Sequence, residues 1–489
     1  MPEDRSPVQR IVRGAVQTLS STYFARLVNW TVNILLMRKL VEEDFGYVTL
    51  AISLLTIVVA LRRFGLHIAL LHQHDRVDQL LPTHFLLNTG LGVLSTSVAV
   101  GLAFLFVGQQ YGEIVATVLI IFAVLDLLRN ATLTSETRLR HRLRFGHLAV
   151  SQATASIAAS FVAIAIAYAG GGVWALTLGF FVNSVSYVVV YCTLIWTHQP
   201  PSITRLRDFD FAGARNFFRY GFWYWIGGAM QTLTLQYDRF IVGTLLGAGV
   251  LGFYAQAHMF AQIPTGAFTH ALLNITGAVY ARYQNDRIRL SAAFRRTLRL
   301  IFRATVLITL VLAVEAPALI TLLAKERWLP LVPMLRWLVV YSLCRPILDD
   351  VYNLFFGVGK PRTFARLTAI QAGLILVLAP ILTGYFGPRG TALSIDLMAL
   401  VGIVLALRAA TRHVDIPWGR AIAPPLLAGG AALAVRLAFA DPIGDLSTLA
   451  SLIVGSALLC LTYGIVLLIL EGRELSDELQ RLWSAFTVG

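Results

Sequence analysis

Long apolar runs, broken by short polar stretches, repeat along nearly the whole chain. Fourteen can be drawn: 15–38, 46–66, 82–107, 112–130, 147–169, 172–195, 221–245, 249–273, 301–323, 333–357, 364–385, 390–409, 419–438 and 447–470. Each is close to the ~20 residues a helix needs to cross the hydrocarbon core of a bilayer. Only helices and closed barrels satisfy their backbone polar groups there. The runs are continuous and show no period of two, so the pattern predicts membrane-spanning helices rather than strands. The connections alternate in character. Those on one side are short, as at Lys39–Phe45, Gly108–Tyr111, Gly170–Gly171 and Gly384–Arg389. Those on the other side are longer and basic, as at Arg138-x-Arg140-x-Arg142-x-Arg144, Arg205/Arg207/Arg215/Arg219 and Arg282–Arg299.

Composition agrees with this pattern. Of 489 residues, 57% are hydrophobic and 13% charged, with a mean hydropathy of +0.71; soluble chains average about 25% charged. The net charge of +14 comes from 37 Arg and 3 Lys against 26 acids. In a soluble protein such a balance would suggest nucleic acid. Here 30 of the basic residues fall with the N-terminal tail and 7 on the opposite side, which is the positive-inside distribution. Both termini are therefore expected in the cytoplasm, in keeping with an even number of spans, and no nucleic acid is expected as a partner. The first ~14 residues are polar and basic, with no cleavable leader apparent. Cys192, Cys344 and Cys460 each lie in an apolar run without CxxC spacing and read as buried thiols, with no disulfide and no metal.

Topology leaves three arginines unexplained: Arg26, Arg239 and Arg345, all inside apolar runs. A cation at mid-bilayer costs ~2.5–3.5 kcal/mol on insertion scales, so such residues face a hydrated cavity, an anionic ligand or a partner acid. Ser20, Ser21, Thr22 and Tyr23, one turn before Arg26, suggest a hydrated face. Asp238 and Arg239 are adjacent and cannot face each other on a helix, whereas Arg345 and Asp349 are spaced to pair. Asp350 is then left over, and Pro346 is expected to kink the tenth span. Glu315 and Asp396 are lone acids in apolar runs, each either a proton carrier or an arginine's partner. Gly247-x-Gly249 and Gly357-x-Gly359-Lys360 do not complete a P-loop, so no ATPase activity is expected. His67, His72 and His74 read as interfacial residues. Glu42-Glu43-Asp44 reads either as a capped helix start or as the external acid of a membrane glycosyltransferase. The shortness of the outer loops disfavours the latter. No catalytic residue, cofactor or metal is expected.

A weak internal repeat emerges at a shift of 206 positions. Leu40 meets Leu246, Gly46 meets Gly252, Tyr47 meets Phe253 and Ala51 meets Ala257. Helical transporters are often built from such repeats, with substrate bound between them. The register also places Asp238 and Arg239 within the seventh span. The organisation read from the sequence is a tail at 1–14, an N-lobe at 15–196, a cytoplasmic linker at 197–220, a C-lobe at 221–410, a further helix pair within 411–470 and a tail at 471–489.

Several stretches carry a resemblance. Arg38-Lys39-Leu40-x-x-x-Asp44-Phe45-Gly46-Tyr47, Leu139-Arg140-x-x-Leu143-Arg144-Phe145 and Gly172-Val173-Trp174-Ala175-Leu176-x-x-Gly179 are similar to landmarks of the polysaccharide and oligosaccharide-lipid flippases. That family is the Wzx-like branch of the superfamily that also holds MATE exporters and MurJ. Tyr220-Gly221 through Asp238-Arg239-x-x-x-Gly243-x-x-x-Gly247-x-x-x-Leu251-Gly252-x-Tyr254-x-x-Ala257 resembles its most specific stretch, and Trp328, Pro333, Leu335 and Gly357-x-Gly359-Lys360-Pro361 resemble later ones. Two departures stand out: Tyr220 replaces the usual Phe, and Ala324-Lys325-Glu326-Arg327 replaces the usual G-x-x-W spacing before Trp328.

The resemblance covers roughly residues 10–410. It implies an all-α polytopic, MATE-like fold of about 14 spans, with two pseudo-symmetric six-helix lobes plus a C-terminal helix pair. It also implies translocation of an undecaprenyl-diphosphate-linked oligosaccharide across the bacterial inner membrane, by alternating access without ATP, for exopolysaccharide or O-antigen synthesis. A polymerase and a chain-length regulator of the same pathway are the implied protein partners. Arginine's rigid fork of donors suits a diphosphate, which would give Arg26, Arg239 and Arg345 a ligand. Scattered polar and aromatic residues such as Trp30, Asn33, Tyr224, Trp225, Gln231 and Asn274 would meet the sugar. Three other functions remain open: a lipid II flippase, a MATE-type drug exporter (disfavoured by a cation in the first span) and a membrane glycosyltransferase. A non-transporting assembly partner is a fourth.

Overall fold

The computed structural model describes residues 26–67, 70, 77–141, 145–196, 209–266, 270–415 and 418–472, and every regular element among them is helical. Ser20–Tyr23, Arg142, Arg144, His72, His74, the tail at 1–14, residues 473–489, the first half of the predicted linker (197–208) and the side chain of Asn274 lie outside the described residues.

The first helix, α1, spans 26–37. It is followed by α2 (Glu42–Arg62), α3 (Val77–Leu102), α4 (Glu113–Asn130), α5 (Leu133–His141), α6 (Phe145–Tyr168) and α7 (Val173–Trp196). Then come α8 (Phe211–Leu246), α9 (Ala248–Ala261), α10 (His270–Arg282), α11 (Arg287–Val314) and α12 (Ala316–Ala324). The last are α13 (Leu331–Trp337), α14 (Val339–Gly357), α15 (Pro361–Phe386), α16 (Pro388–Ala410), α17 (Trp418–Ala438) and α18 (Thr448–Glu471). By length and apolarity, 8 described helices can cross a membrane, or up to 10 if each bent pair counts as one span.

Local chemistry sets the ends of these helices. The first turn of α2 holds Glu42, Glu43 and Asp44, and the Asp44 carboxylate accepts the Val41 N–H at 3.1 Å. That acidic stretch therefore caps a helix. Asp210 accepts the N–H groups of Ala212 (2.9 Å) and Gly213 (3.0 Å), so α8 starts at Phe211 rather than at 221. Asp286 does the same for α11 through Arg289 N–H at 3.1 Å, and the helix starts at Arg287 rather than at 301. Gly359, at φ 69°, turns the chain between α14 and α15, and Pro361 opens the next helix. The Gly-x-Gly-Lys stretch is thus a helix-to-helix turn.

Among the described residues, Lys325 alone has positive φ without being glycine: φ 75°, ψ 167°. This region is essentially glycine-only. Lys325 stands where G-x-x-W spacing would put glycine, so the backbone keeps the glycine geometry with a side chain attached. Lys325→Gly is expected to stabilise the protein by about 1–3 kcal/mol, read as a raised thermal midpoint in detergent. Lys325→Ala should not.

The chain divides into two compact units. The first comprises Met1–Ala255 and Ile375–Gly387; the second comprises Gln256–Leu374 and Pro388–Gly489. In the first unit, α2 packs against α8 at one end and against α9 at the other. A Cβ on Gly221 would overlap the Phe64 carbonyl, Phe64 stacks on Trp225 at 4.4 Å, and Trp225 donates its indole N–H to Leu61 O at 3.0 Å. Trp225 is thereby a packing residue of this seam. At the opposite end of α2, a Cβ on Gly46 would overlap the Ala248 carbonyl, and a Cβ on Gly252 would overlap the Glu42 carbonyl. These four positions are related by the 206-residue shift, and the contact is reciprocal. Glycine lets helix backbones approach closely where lipid supplies no hydrophobic drive between them.

The second unit is built on a continuous core of Tyr280, Leu290, Phe294, Val351, Phe355, Leu459 and their neighbours. Two buried ion pairs tie the last two helices into it. Arg436 of α17 meets Glu315 at the α11–α12 junction (2.7 Å), and Glu471 of α18 meets Arg303 of α11 (2.6 Å). The expected kink at Pro346 is not where the bend falls. α14 runs unbroken through Pro346, and the 50° bend lies at Leu338, between α13 and α14.

Candidate functional site

The charged residues inside the helices define the candidate site, and each is positioned by its own unit. In the first unit, Arg26 stands at the start of the described part of α1 and is half-buried. Arg239 lies in α8, half-buried, with Nη1 donating to Gln236 Oε1 at 3.3 Å. Its neighbour Asp238 is fully buried and accepts the Tyr254 hydroxyl at 2.9 Å. The two adjacent charges therefore diverge, Asp238 tying α8 to α9 while Arg239 keeps another face.

In the second unit, Arg345 and Asp349 form a two-pronged pair on one face of α14, at 2.8 Å (Nη2–Oδ1) and 3.3 Å (Nε–Oδ2). Asp350, left over in sequence, accepts the Tyr280 hydroxyl at 3.0 and 3.2 Å, and one turn on Asn353 donates to Thr276 at 2.8 Å. Asp396 accepts the Tyr341 backbone N–H at 2.8 Å. The bend at Leu338 frees the first amides of α14, and Asp396 caps one of them from α16. Glu315 is 3% exposed and held by Arg436, with Gly455 of α18 packed so closely that a Cβ would overlap the carboxylate.

Sequence reasoning missed several buried charges. Arg62, at the end of α2, pairs with Asp126 of α4 at 2.5 Å, and Arg303 pairs with Glu471; both had been counted with the basic loops. Arg129 of α4 was counted there too. It donates to Gln152 Oε1 of α6 (2.9 Å) and to Asn183 Oδ1 of α7 (3.5 Å), and its guanidinium lies 4.3 Å from the centroid of the Tyr187 ring. The Tyr187 hydroxyl donates to Glu136 at 2.8 Å, which also accepts from Thr132 at 2.8 Å. One signal was available: Asp126 is an acid in an apolar run, and an acid there needs a partner from another helix. No group of three or more metal-binding side chains occurs among the described residues.

The fold is similar to that of solved membrane transporters. The structure of the lipid II flippase MurJ in an inward closed conformation superposes with a TM-score of 0.76, covering 94% of this chain and 99% of that one at 14% identity. An inward-facing multidrug resistance MATE transporter of the MOP superfamily gives 0.63, with 81% and 98% covered at 17% identity. In sequence, the chain belongs to the polysaccharide biosynthesis protein family, matching it over residues 35–333. It is 21% identical over 385 residues to the lipopolysaccharide biosynthesis protein WzxC of Escherichia coli K12, covering 78% of this chain and 76% of that one. It is also 21% identical over 299 residues to the teichuronic acid biosynthesis protein TuaB of Bacillus subtilis, with 60% of each covered. The protein is thus a multi-pass, all-helical membrane protein of the polysaccharide biosynthesis family with a flippase-like fold.

Proposed function

We propose that the protein translocates an undecaprenyl-diphosphate-linked oligosaccharide from the inner to the outer leaflet of the bacterial inner membrane. Both termini would lie in the cytoplasm, and two lobes, 15–196 and 221–410, would alternate in access without ATP. The observation that carries this reading is a family match to polysaccharide biosynthesis proteins on a flippase-like fold whose spans hold guanidinium groups. A diphosphate and a sugar unit need a hydrated, cationic path, while a polyprenyl tail can stay in lipid. Arg26 and Arg239, with Arg345 as the paired third, are the diphosphate-binding residues of this reading. Asp238, Asp349, Glu315 and Asp396 are the acids available for coupling or pairing. A proton gradient or downstream polymerisation would drive the cycle, and a polymerase and chain-length regulator would act beside it.

Deleting the gene is expected to remove a surface polysaccharide and restoring it to return the polymer. Arg26→Ala is expected to abolish that rescue while the protein still inserts in the membrane. Normal polysaccharide in this variant would overturn the role of Arg26. The likeness to MurJ favours one second reading, the flipping of lipid II. Rescue of a strain depleted of its lipid II flippase, without any effect on surface polysaccharide, would select it.

A further inference from the structure

Among the described residues, four arginines within the bundles pair with a carboxylate: Arg62 with Asp126, Arg303 with Glu471, Arg345 with Asp349 and Arg436 with Glu315. Such pairs neutralise a charge that the bilayer would otherwise penalise. Arg129 differs. Among the described residues it makes no ion pair, and its partners are the amide oxygens of Gln152 and Asn183 and the face of Tyr187. The nearest acid in this network is Glu136, which stands behind the Tyr187 hydroxyl and is already engaged by Tyr187 and Thr132.

The position is deep. Counted from Val173, Asn183 is the eleventh residue of the 24-residue α7, close to the middle of a helix long and apolar enough to span the membrane. The positive-inside rule accounts for cations at the membrane surface; it does not account for one reaching this depth.

The surroundings are those of a binding site for an oxyanion. A guanidinium has five N–H donors in a fixed fork, and two hydrogen bonds to the amides leave donors over. Arg129, Gln152 and Asn183 are all half-buried, and no nitrogen of Arg129 is both sealed in and without a partner. The ring of Tyr187 fixes the guanidinium plane from one side, and Tyr191 stacks parallel to Tyr187 at 5.9 Å. The amide groups of Gln152 and Asn183 beside it are suited to sugar hydroxyls. A rigid cation flanked by amides and an aromatic face matches a phosphate or a sugar carboxylate far better than it matches an organic cation.

We propose that Arg129, held by Tyr187, Gln152 and Asn183, is an oxyanion subsite within the first unit that binds the anionic head of the lipid-linked substrate. This rests on the flippase function given above. The full-length protein in detergent would be titrated with two probes, farnesyl diphosphate for the phosphate source and an oligogalacturonate for the sugar carboxylate, with thermal unfolding measured in parallel. Arg129→Met is expected to weaken one probe about tenfold or more, as loss of a charged hydrogen bond does, without lowering the unfolding midpoint. The probe that weakens identifies the source. Unchanged affinity for both overturns the subsite, whether or not the midpoint falls. If Arg129→Met does not fold, Arg129→Lys keeps the charge and loses the fork; several-fold weaker binding supports the subsite and wild-type binding overturns it. Weakening by Arg26→Ala but not by Arg129→Met removes this inference alone. Failure of the wild type to bind either probe removes the flippase reading with it.

Discussion

Gly46→Ala is expected to abolish polysaccharide export almost completely while leaving the protein in the membrane. The added methyl would have to occupy the place of the Ala248 carbonyl oxygen, and a backbone carbonyl cannot turn aside as a flexible side chain can. The ends of α2 and α9 must then part. The local packing cost is of the order of overpacking elsewhere, about 1–3 kcal/mol, and it falls on whichever conformation needs this contact. By the 206-residue shift, Gly252→Ala should reproduce the defect, because Gly252 meets the Glu42 carbonyl in the same way. Gly90→Ala and Gly430→Ala add a methyl with nothing within 4 Å and serve as controls. Export by Gly46→Ala equal to that of the two controls would show that the cycle does not require the seam.

Glu315→Gln should be the most damaging single change to stability. It leaves the Arg436 guanidinium, 13% exposed as a side chain, without its carboxylate. Removing one partner of a buried pair costs about 3–5 kcal/mol, chiefly the desolvation of the charge left behind. The double variant Glu315→Gln/Arg436→Met removes both charges and is expected to recover most of the loss. The readout is the thermal midpoint and the monodisperse fraction in detergent. A double variant as unstable as the single one would mean that the pair itself, rather than the stranded charge, stabilises the junction.

Much of the fold was legible because the bilayer imposes one rule, long apolar helices, and the 8 to 10 spans that the described helices form obey it. The internal repeat was legible at only a few positions, but Gly46 and Gly252 were among them, and these are where the two helix ends meet. Element starts were less legible. Hydropathy alone put the start of the seventh run at 221 and of the ninth at 301, whereas Asp210 and Asp286 cap polar helical turns well before the apolar run begins. The bend of the tenth span was misplaced because proline advertises itself in sequence, while the helix start after the break at Leu338 is capped at Tyr341 by Asp396, 55 residues further along.

Charges were legible only in part. Arg345 and Asp349 sit on one helix, so their spacing reveals the pair. Arg62, Arg129 and Arg303 stand near the expected cytoplasmic ends of apolar runs, where hydropathy alone assigns an arginine to the membrane surface, and Arg436 stands near an expected outer end. Their partners lie on other helices, and nothing local betrays them. Lys325 shows the opposite case, in which a departure from a family pattern marked a real peculiarity of the backbone.

The two pairs that fix the last helices also bear on how the chain is made. Glu315 emerges from the ribosome 121 residues before Arg436, and Arg303 emerges well over a hundred residues before Glu471. At the usual pace of synthesis that is a wait of roughly ten to thirty seconds. For that interval the newborn bundle holds one acid and one base whose final partners do not yet exist. Completion of α18 neutralises the second of them, so both charges are matched only once α18 has arrived. A chain cut short before Thr448 would lack the Glu471 carboxylate that neutralises Arg303, a change that quality-control machinery could recognise.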